Sequence, residues 1–262
     1  MDILNAIILG IIQGLTEFLP VSSSGHLEIA EFFIESDGSL LMTVVLHFAT
    51  ALSTMIIFWK DIKEIIFGLI RFKNNKAFAF SLKILISMLP AVFVGLLFEE
   101  QVEMLFNNKL TLVGFMLIAT SVLLFIADKI KPRATSKDLN LSNSLLIGIA
   151  QAIAILPGMS RSGSTISTAI FLGINKEKAA RFSFLMAIPI IFGKMSKDIL
   201  SGEVIYNSVP LLPLTIGFIS AFITGIIACK WMVKLVKNSQ LKYFAYYCLL
   251  IGVIIIITNM YS

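Results

Sequence analysis

The chain is 262 residues long, 57% hydrophobic and only 14% charged, where an average soluble domain is about a quarter charged. That balance excludes a soluble globular protein and points to an integral membrane protein, because several apolar runs approach the ~20 residues a helix needs to cross a bilayer. The net charge of +5 gives no reason to expect a nucleic-acid partner, since the bases gather in loops, where the positive-inside rule expects them.

The first element, Ile3–Leu15, is apolar but too short to span. Its only early charge is Asp2, and without a basic n-region a cleaved signal peptide is not expected. It runs into Gln13-Gly-Leu-Thr-Glu17-Phe-Leu-Pro20-Val-Ser22-Ser23-Ser24-Gly25-His26, and a second short apolar stretch, His26–Phe33, follows. Three spans are predicted next, Leu40–Trp59, Phe80–Phe98 and Leu110–Ala127, with Asp61–Phe72 between the first two as an amphipathic interfacial helix. The short stretches Leu145–Leu156 and Thr165–Leu172 then flank Gln151-Ala-Ile-Ala-Ile-Leu-Pro157-Gly-Met-Ser160-Arg161-Ser162-Gly163-Ser164. Three more spans, Phe182–Leu200, Pro210–Cys229 and Tyr243–Thr258, complete the chain. Cys229 and Cys248 lie in or beside these apolar helices and read as packing residues, not as a disulfide or metal pair.

Loop charges orient the spans. Lys60, Lys63, Arg71, Lys73 and Lys76 mark one cytoplasmic connection, and Lys129, Lys131, Arg133 and Lys137 a second. Lys176, Lys178 and Arg181 mark a third, and Lys230, Lys234, Lys237 and Lys242 a fourth. The acid-bearing connections Glu31–Asp37 and Glu99–Glu103 fall outside. The two short-segment pairs then fit only as re-entrant hairpins, the first entering from outside and the second from inside, with tips approaching each other. The expected fold is all-α and polytopic, with about six spanning helices and two re-entrant hairpins in an inverted repeat. It forms one membrane domain over residues 1–262, with repeats near 1–127 and 143–229 and a final helix at 243–260. Pro90 and Pro189 mark a proline-bearing span in each half.

Polar residues on Gly- and Pro-broken backbone inside apolar sequence are expensive unless they line a cavity, so the two motifs are the candidate site. Glu17 lies four residues after Gln13, on the same helical face. A buried carboxylate needs a cation, and two readings stay open: a structural ion pair with Arg161, or a hard divalent ion, Mg²⁺ or Ca²⁺, held by Glu17 and the Gln13 amide. Ser22, Ser23, Ser24 and Gly25, and Ser160, Arg161, Ser162 and Gly163, are small hydroxyl-rich turns that open helices. Such turns cap helices everywhere, but with a guanidinium they also bind phosphate. His26 reads as a proton shuttle or as a packing histidine, and Ser23 as a nucleophile if His26 takes its proton, with an activated water as the alternative. His47 reads as a core hydrogen-bonding residue, and Glu28 and Glu31 as solvated, with Glu28 able to join the site.

The two motifs, with Pro157-Gly-Met-Ser160-Arg161-Ser162-Gly163-Ser-Thr165-Ile for the second, resemble the signatures of the bacterial undecaprenyl-diphosphatase family, the bacitracin-resistance proteins of the cell-wall lipid cycle. The likeness covers essentially the whole chain, including Phe-Ser-Phe-Leu-Met-Ala-Ile-Pro189. It implies a divalent-metal-dependent phosphatase of the bacterial plasma membrane, releasing inorganic phosphate from undecaprenyl diphosphate on the outer side. Bacitracin then acts indirectly, by sequestering the substrate. The resemblance assigns metal binding to Glu17, catalysis to Ser22, Ser23 and His26, and phosphate binding to Ser160, Arg161 and Thr165, and it implies a homodimer. The family's first acidic position is Gln13 here, which departs from a two-carboxylate metal site. The rival reading is a carrier of the polyprenyl phosphate, since broken helices meeting at the midplane also build transporters. A structural membrane subunit would leave the paired polar tips unexplained.

Overall fold

In the computed structural model each of the six predicted spans is an α-helix. The structure describes residues 2–34, 39–70, 76–106, 110–130, 138–200, 209–238 and 240–261. These form helices α1 (Ile3–Thr16), α2 (Ser23–Phe33), α3 (Leu40–Ile57), α4 (Trp59–Ile70), α5 (Lys76–Leu97) and α6 (Glu99–Phe106). The chain continues through α7 (Leu110–Lys129), α8 (Leu141–Ile153), α9 (Arg161–Phe171), α10 (Lys176–Leu200), α11 (Leu211–Lys237) and α12 (Leu241–Tyr261). Among the described residues there is no strand. Helices α3, α5, α7, α10, α11 and α12 are long and apolar enough to cross a bilayer, so the protein is an all-α, multi-pass membrane protein.

Several helices outrun the apolar stretches that predict them, chiefly at basic ends. α5 starts at Lys76 rather than Phe80, α10 at Lys176 rather than Phe182, and α11 continues past Cys229 to Lys237. A helix satisfies its own backbone in water as in lipid, and lysine stems lie along apolar surface while their heads reach the interface. The amphipathic segment folds as α4, and the acidic connection after α5 is itself the short helix α6. Of the orienting charges, Glu35, Asp37, Arg71, Lys73, Lys131, Arg133 and Lys137 lie outside the described residues.

The short helices occupy the places the motifs predict. α1 has 14 residues and α9 has 11, about 21 and 17 Å at 1.5 Å per residue, against a hydrocarbon core of ~30 Å. α1 packs on α2 and α8 on α9, each pair joined through one motif. The hairpins are held by close helix crossings. On α1, a Cβ at Gly14 would come within 2.7 Å of the Ala221 carbonyl oxygen, so only glycine lets α1 lie this close to α11. The second hairpin seats α8 on α5. Lipid faces the other side: Leu82, Leu85, Leu89 and Leu96 form an exposed stripe at helical spacing along α5. α9 is the reverse, buried at every position from Ser162 to Ser167 although four of those six carry hydroxyls.

Candidate active site at the two helix breaks

α1 ends at Thr16, and Glu17 follows as its C-terminal cap, with its N–H bonded to the Gln13 carbonyl. Pro20 lies four residues on, in the break before α2. Ser22 then takes φ +72° and ψ 101°, and it is the one non-glycine residue with positive φ among the described residues. Such backbone costs about 1–3 kcal/mol and persists only where surrounding contacts enforce it. Here the Ser22 hydroxyl caps α2 by accepting from the Gly25 N–H at 3.2 Å. The turn leaves the Ser23 hydroxyl donating to Glu17 Oε2 at 2.7 Å.

The second break repeats the capping. Ser160 is the N-cap of α9 and accepts from the Gly163 N–H at 3.0 Å, as Ser22 does from Gly25. Its own N–H donates to Thr120 Oγ1 at 3.0 Å, tying the tip to α7. Gly158 has φ +86°, and a Cβ there would lie 2.5 Å from the Val113 carbonyl oxygen. Both the conformation and the space therefore require glycine. Thr165 donates to the Arg161 carbonyl at 2.8 Å and shares a 2.6 Å hydrogen bond with Ser183 on α10.

The tips meet. Arg161 donates through Nη2 to Glu17 Oε1, and through Nη1 to the Ser183 carbonyl at 3.3 Å. A Cβ on Gly25 would stand 3.0 Å from Gly158 Cα, so the two glycines mark where the turns touch. Ser162 donates to the Leu19 carbonyl at 3.4 Å, and Phe18 packs edge-on against Phe184 at 5.6 Å between centroids. Glu17 is 8% exposed and receives Arg161, Ser23 and the Gln13 amide, which donates from Nε2 to Oε2 at 3.0 Å. These donors surround a charge that burial would otherwise make very costly. The centre thus brings together groups that phosphoryl chemistry uses: a guanidinium for phosphate oxygens, a hydroxyl on a carboxylate, and two capped helix N-termini.

The two histidines differ in what they touch. His26 has a partner at each ring nitrogen, neither of them Ser23: Nδ1 is 2.8 Å from the Ser22 carbonyl and Nε2 is 2.7 Å from the Tyr247 hydroxyl, with the two rings stacked. His47 makes the expected core hydrogen bond, Nδ1 to the Thr43 carbonyl at 2.9 Å, yet its Nε2 sits 3.9 Å from Glu17 Oε2. His47 is therefore the site residue the sequence reading passed over. The available signal was an ionisable side chain inside a span, the same reasoning that singled out Glu17. Glu28 is half-buried with one carboxylate oxygen lacking a partner, not solvated as expected. Ser24 Oγ lies 3.4 Å from Ser22 Oγ, on the first turn.

A divalent cation is compatible with the donors present. Gln13 is fully buried, its Nε2 is used on Glu17, and its Oε1 has no partner. An orphaned amide oxygen beside a carboxylate is the hard-oxygen pairing that Mg²⁺ or Ca²⁺ takes. Among the described residues no cluster of three His, Cys, Asp or Glu exists, so other ligands would be hydroxyl, substrate or water oxygens. Gln151, the second motif's counterpart of Gln13, is also buried, with neither amide atom partnered.

Fold and site together define a multi-pass membrane protein with a buried polar centre between two helix breaks. The chain matches the family model of bacitracin resistance protein BacA over residues 6–254. It is 58% identical over 261 residues to an undecaprenyl-diphosphatase of Christiangramia forsetii, covering 98% of both chains. The identity is 48% over 264 residues to that of Bacteroides fragilis, covering 99% of each. For that of Halothermothrix orenii it is 40% over 262 residues, covering 98% of each. The chain belongs to the BacA family of bacitracin resistance proteins.

Proposed function

We propose that the protein hydrolyses undecaprenyl diphosphate to undecaprenyl phosphate and inorganic phosphate, recycling the cell-wall lipid carrier and so conferring bacitracin resistance. The observation that carries this reading is the buried Glu17–Arg161 pair with Ser23 hydrogen-bonded to the same carboxylate. In the reaction the bond from the terminal phosphorus to the bridging oxygen breaks, undecaprenyl phosphate leaves, and a bond to the Ser23 oxygen, or to a water in its place, forms; where Ser23 attacks, a water then cleaves the phosphoserine ester, releasing inorganic phosphate and restoring the hydroxyl. Glu17 Oε2, already the acceptor from Ser23, takes the nucleophile's proton, and His47 beside it can receive that proton in turn. Arg161, with the turns capped by Ser22 and Ser160, holds the phosphate oxygens through charge-assisted bonds. A divalent cation, held by Glu17 and Gln13 Oε1, would supply charge neutralisation on the transferring phosphoryl group. His26 in this reading positions the first turn through Ser22, since Tyr247 holds its other nitrogen.

The two hairpins read as re-entrant halves of an inverted repeat. Reciprocal packing supports this: α1 lies on α11 as α8 lies on α5, and α7 pairs with α12. On that pattern α12 is the counterpart of α7 and belongs to the second repeat. The lysine-bearing helix ends support a cytoplasmic basic face in a bacterial inner membrane, with the site open to the outer side. A homodimer follows from the family resemblance and is read directly by the mass of the detergent-solubilised complex. The test of function is phosphate release from undecaprenyl diphosphate by the purified protein. Lipid that is bound but never cleaved would replace the phosphatase by a carrier of the lipid phosphate.

A further inference from the structure

A cavity of about 530 Å³ lies apart from this centre, walled by α4, α5, α8, α9 and α10, and none of Gln13, Glu17, Ser23, His47 or Arg161 lines it. Its size falls in the range of small-ligand sites, ~300–1,000 Å³. Its charges are unevenly paired. Arg181 bonds Asp61, and Lys178 Nζ stands 2.9 Å from Asp138 Oδ1. Lys76 and Lys83 also face the cavity, without an ion-pair partner among the described residues, and Glu64 is the one acid left beside them. They are seven positions apart on α5, hence on one face and ~10 Å apart along the axis. The Lys178 hydrogen bond and charge, with further pull from Lys83 and Lys76, hold the Asp138 carboxyl below its ordinary value. The rest of the lining is apolar, with Phe80 and Phe182 edge to face at 6.0 Å between centroids.

Four basic side chains against three acidic ones leave the cavity with one positive charge in excess above an apolar floor, which suits an anion, and an anion attached to a hydrocarbon root best of all. We propose that this cavity is a second binding site, for a phosphate group held by Lys76 and Lys83. The phosphate is either the head of a prenyl phosphate, whose first isoprene units lie on the apolar floor, or free inorganic phosphate. The site is distinct from the reacting centre and its existence does not depend on hydrolysis there.

Two probes of the full-length protein in detergent test this: a photoactivatable farnesyl phosphate whose adducts are mapped by peptide mass, and radiolabelled inorganic phosphate at equilibrium. In the wild type, adducts are expected on α4, α5 or α10 peptides as well as near the Glu17–Arg161 centre. Lys76→Gln with Lys83→Gln should reduce the cavity adducts at least tenfold, as loss of charge-assisted contacts implies. Adducts near Glu17 and the rate of phosphate release should stay unchanged, which also reports that the variant is folded. Lys83→Arg should restore labelling, and Lys60→Gln, exposed on the same side, should leave it untouched. Sensitivity of the prenyl probe alone assigns the site to the lipid phosphate; sensitivity of inorganic phosphate binding assigns it to the free ion. If neither probe responds to the double substitution, the proposal is wrong.

Discussion

Glu17 and Arg161 stand 144 positions apart and form one ion pair, buried on the Glu17 side, that closes the gap between two broken helices. Neither has a reason to be inside the protein without the other. Arg161→Ala should therefore lower stability by ~3–5 kcal/mol by leaving Glu17 buried and unpaired, read as a fall in detergent melting temperature, and should abolish turnover. Arg161→Lys keeps the charge but not the fork. It should recover most of the stability while phosphate release stays ~100-fold or more below wild type. Wild-type turnover in Arg161→Lys would show that the guanidinium plays no special part.

The histidines should separate. His47→Ala removes the imidazole nearest Glu17 and should reduce kcat by ~10²-fold or more, changing the pH–rate profile. His26→Ala should instead behave like Tyr247→Phe in kind, with smaller losses and an unaltered pH profile, because that ring is committed to Ser22 and Tyr247. The reverse ranking would return the proton to His26.

How far the sequence foretells this arrangement differs by level. The six spans and the two pairs of short helices are legible, because the hydropathy period and the spanning length are local properties. The convergence of Glu17 with Arg161 is legible as chemistry, since a buried charge demands an opposite one. What is not legible is which way a ring turns. His26 follows the serine turn directly, yet α2 aims it at α12; His47, 30 residues from Glu17, is brought beside it by α3. Sequence spacing fixes a face of one helix and says nothing of which helix that face will meet. The cavity beside α5 is invisible for the same reason, since its lining comes from five separate helices and the Asp138 connection.

Backbone shape at the second tip should be as limiting as its side chains. Gly158→Ala places a methyl in a left-handed conformation and against the Val113 carbonyl. It should cost more than ~1 kcal/mol and displace Arg161 enough to slow turnover. Gly25→Ala, whose nearest neighbours stand at 3.0–3.3 Å, should be milder in both melting temperature and rate. Equal tolerance of alanine at both positions would mean the turns need not touch for activity.

Chelation tests the cation. EDTA should stop phosphate release, with Mg²⁺ or Ca²⁺ restoring it. Gln13→Ala should raise the metal concentration needed for half-maximal rate, because it removes the unpartnered amide oxygen beside Glu17. Gln13→Glu, which supplies a second carboxylate, should lower it. Release that survives EDTA would leave Glu17 with Arg161 as its only counter-charge.

The most direct measurement is kcat/KM for phosphate release from undecaprenyl diphosphate in Glu17→Ala, Arg161→Ala and the double variant, each purified and checked for folding. If the two tips work as one site, each single substitution removes nearly all activity and the double variant is hardly worse than either. Losses that multiply in the double variant, or a single variant near the wild-type rate, would contradict a shared site.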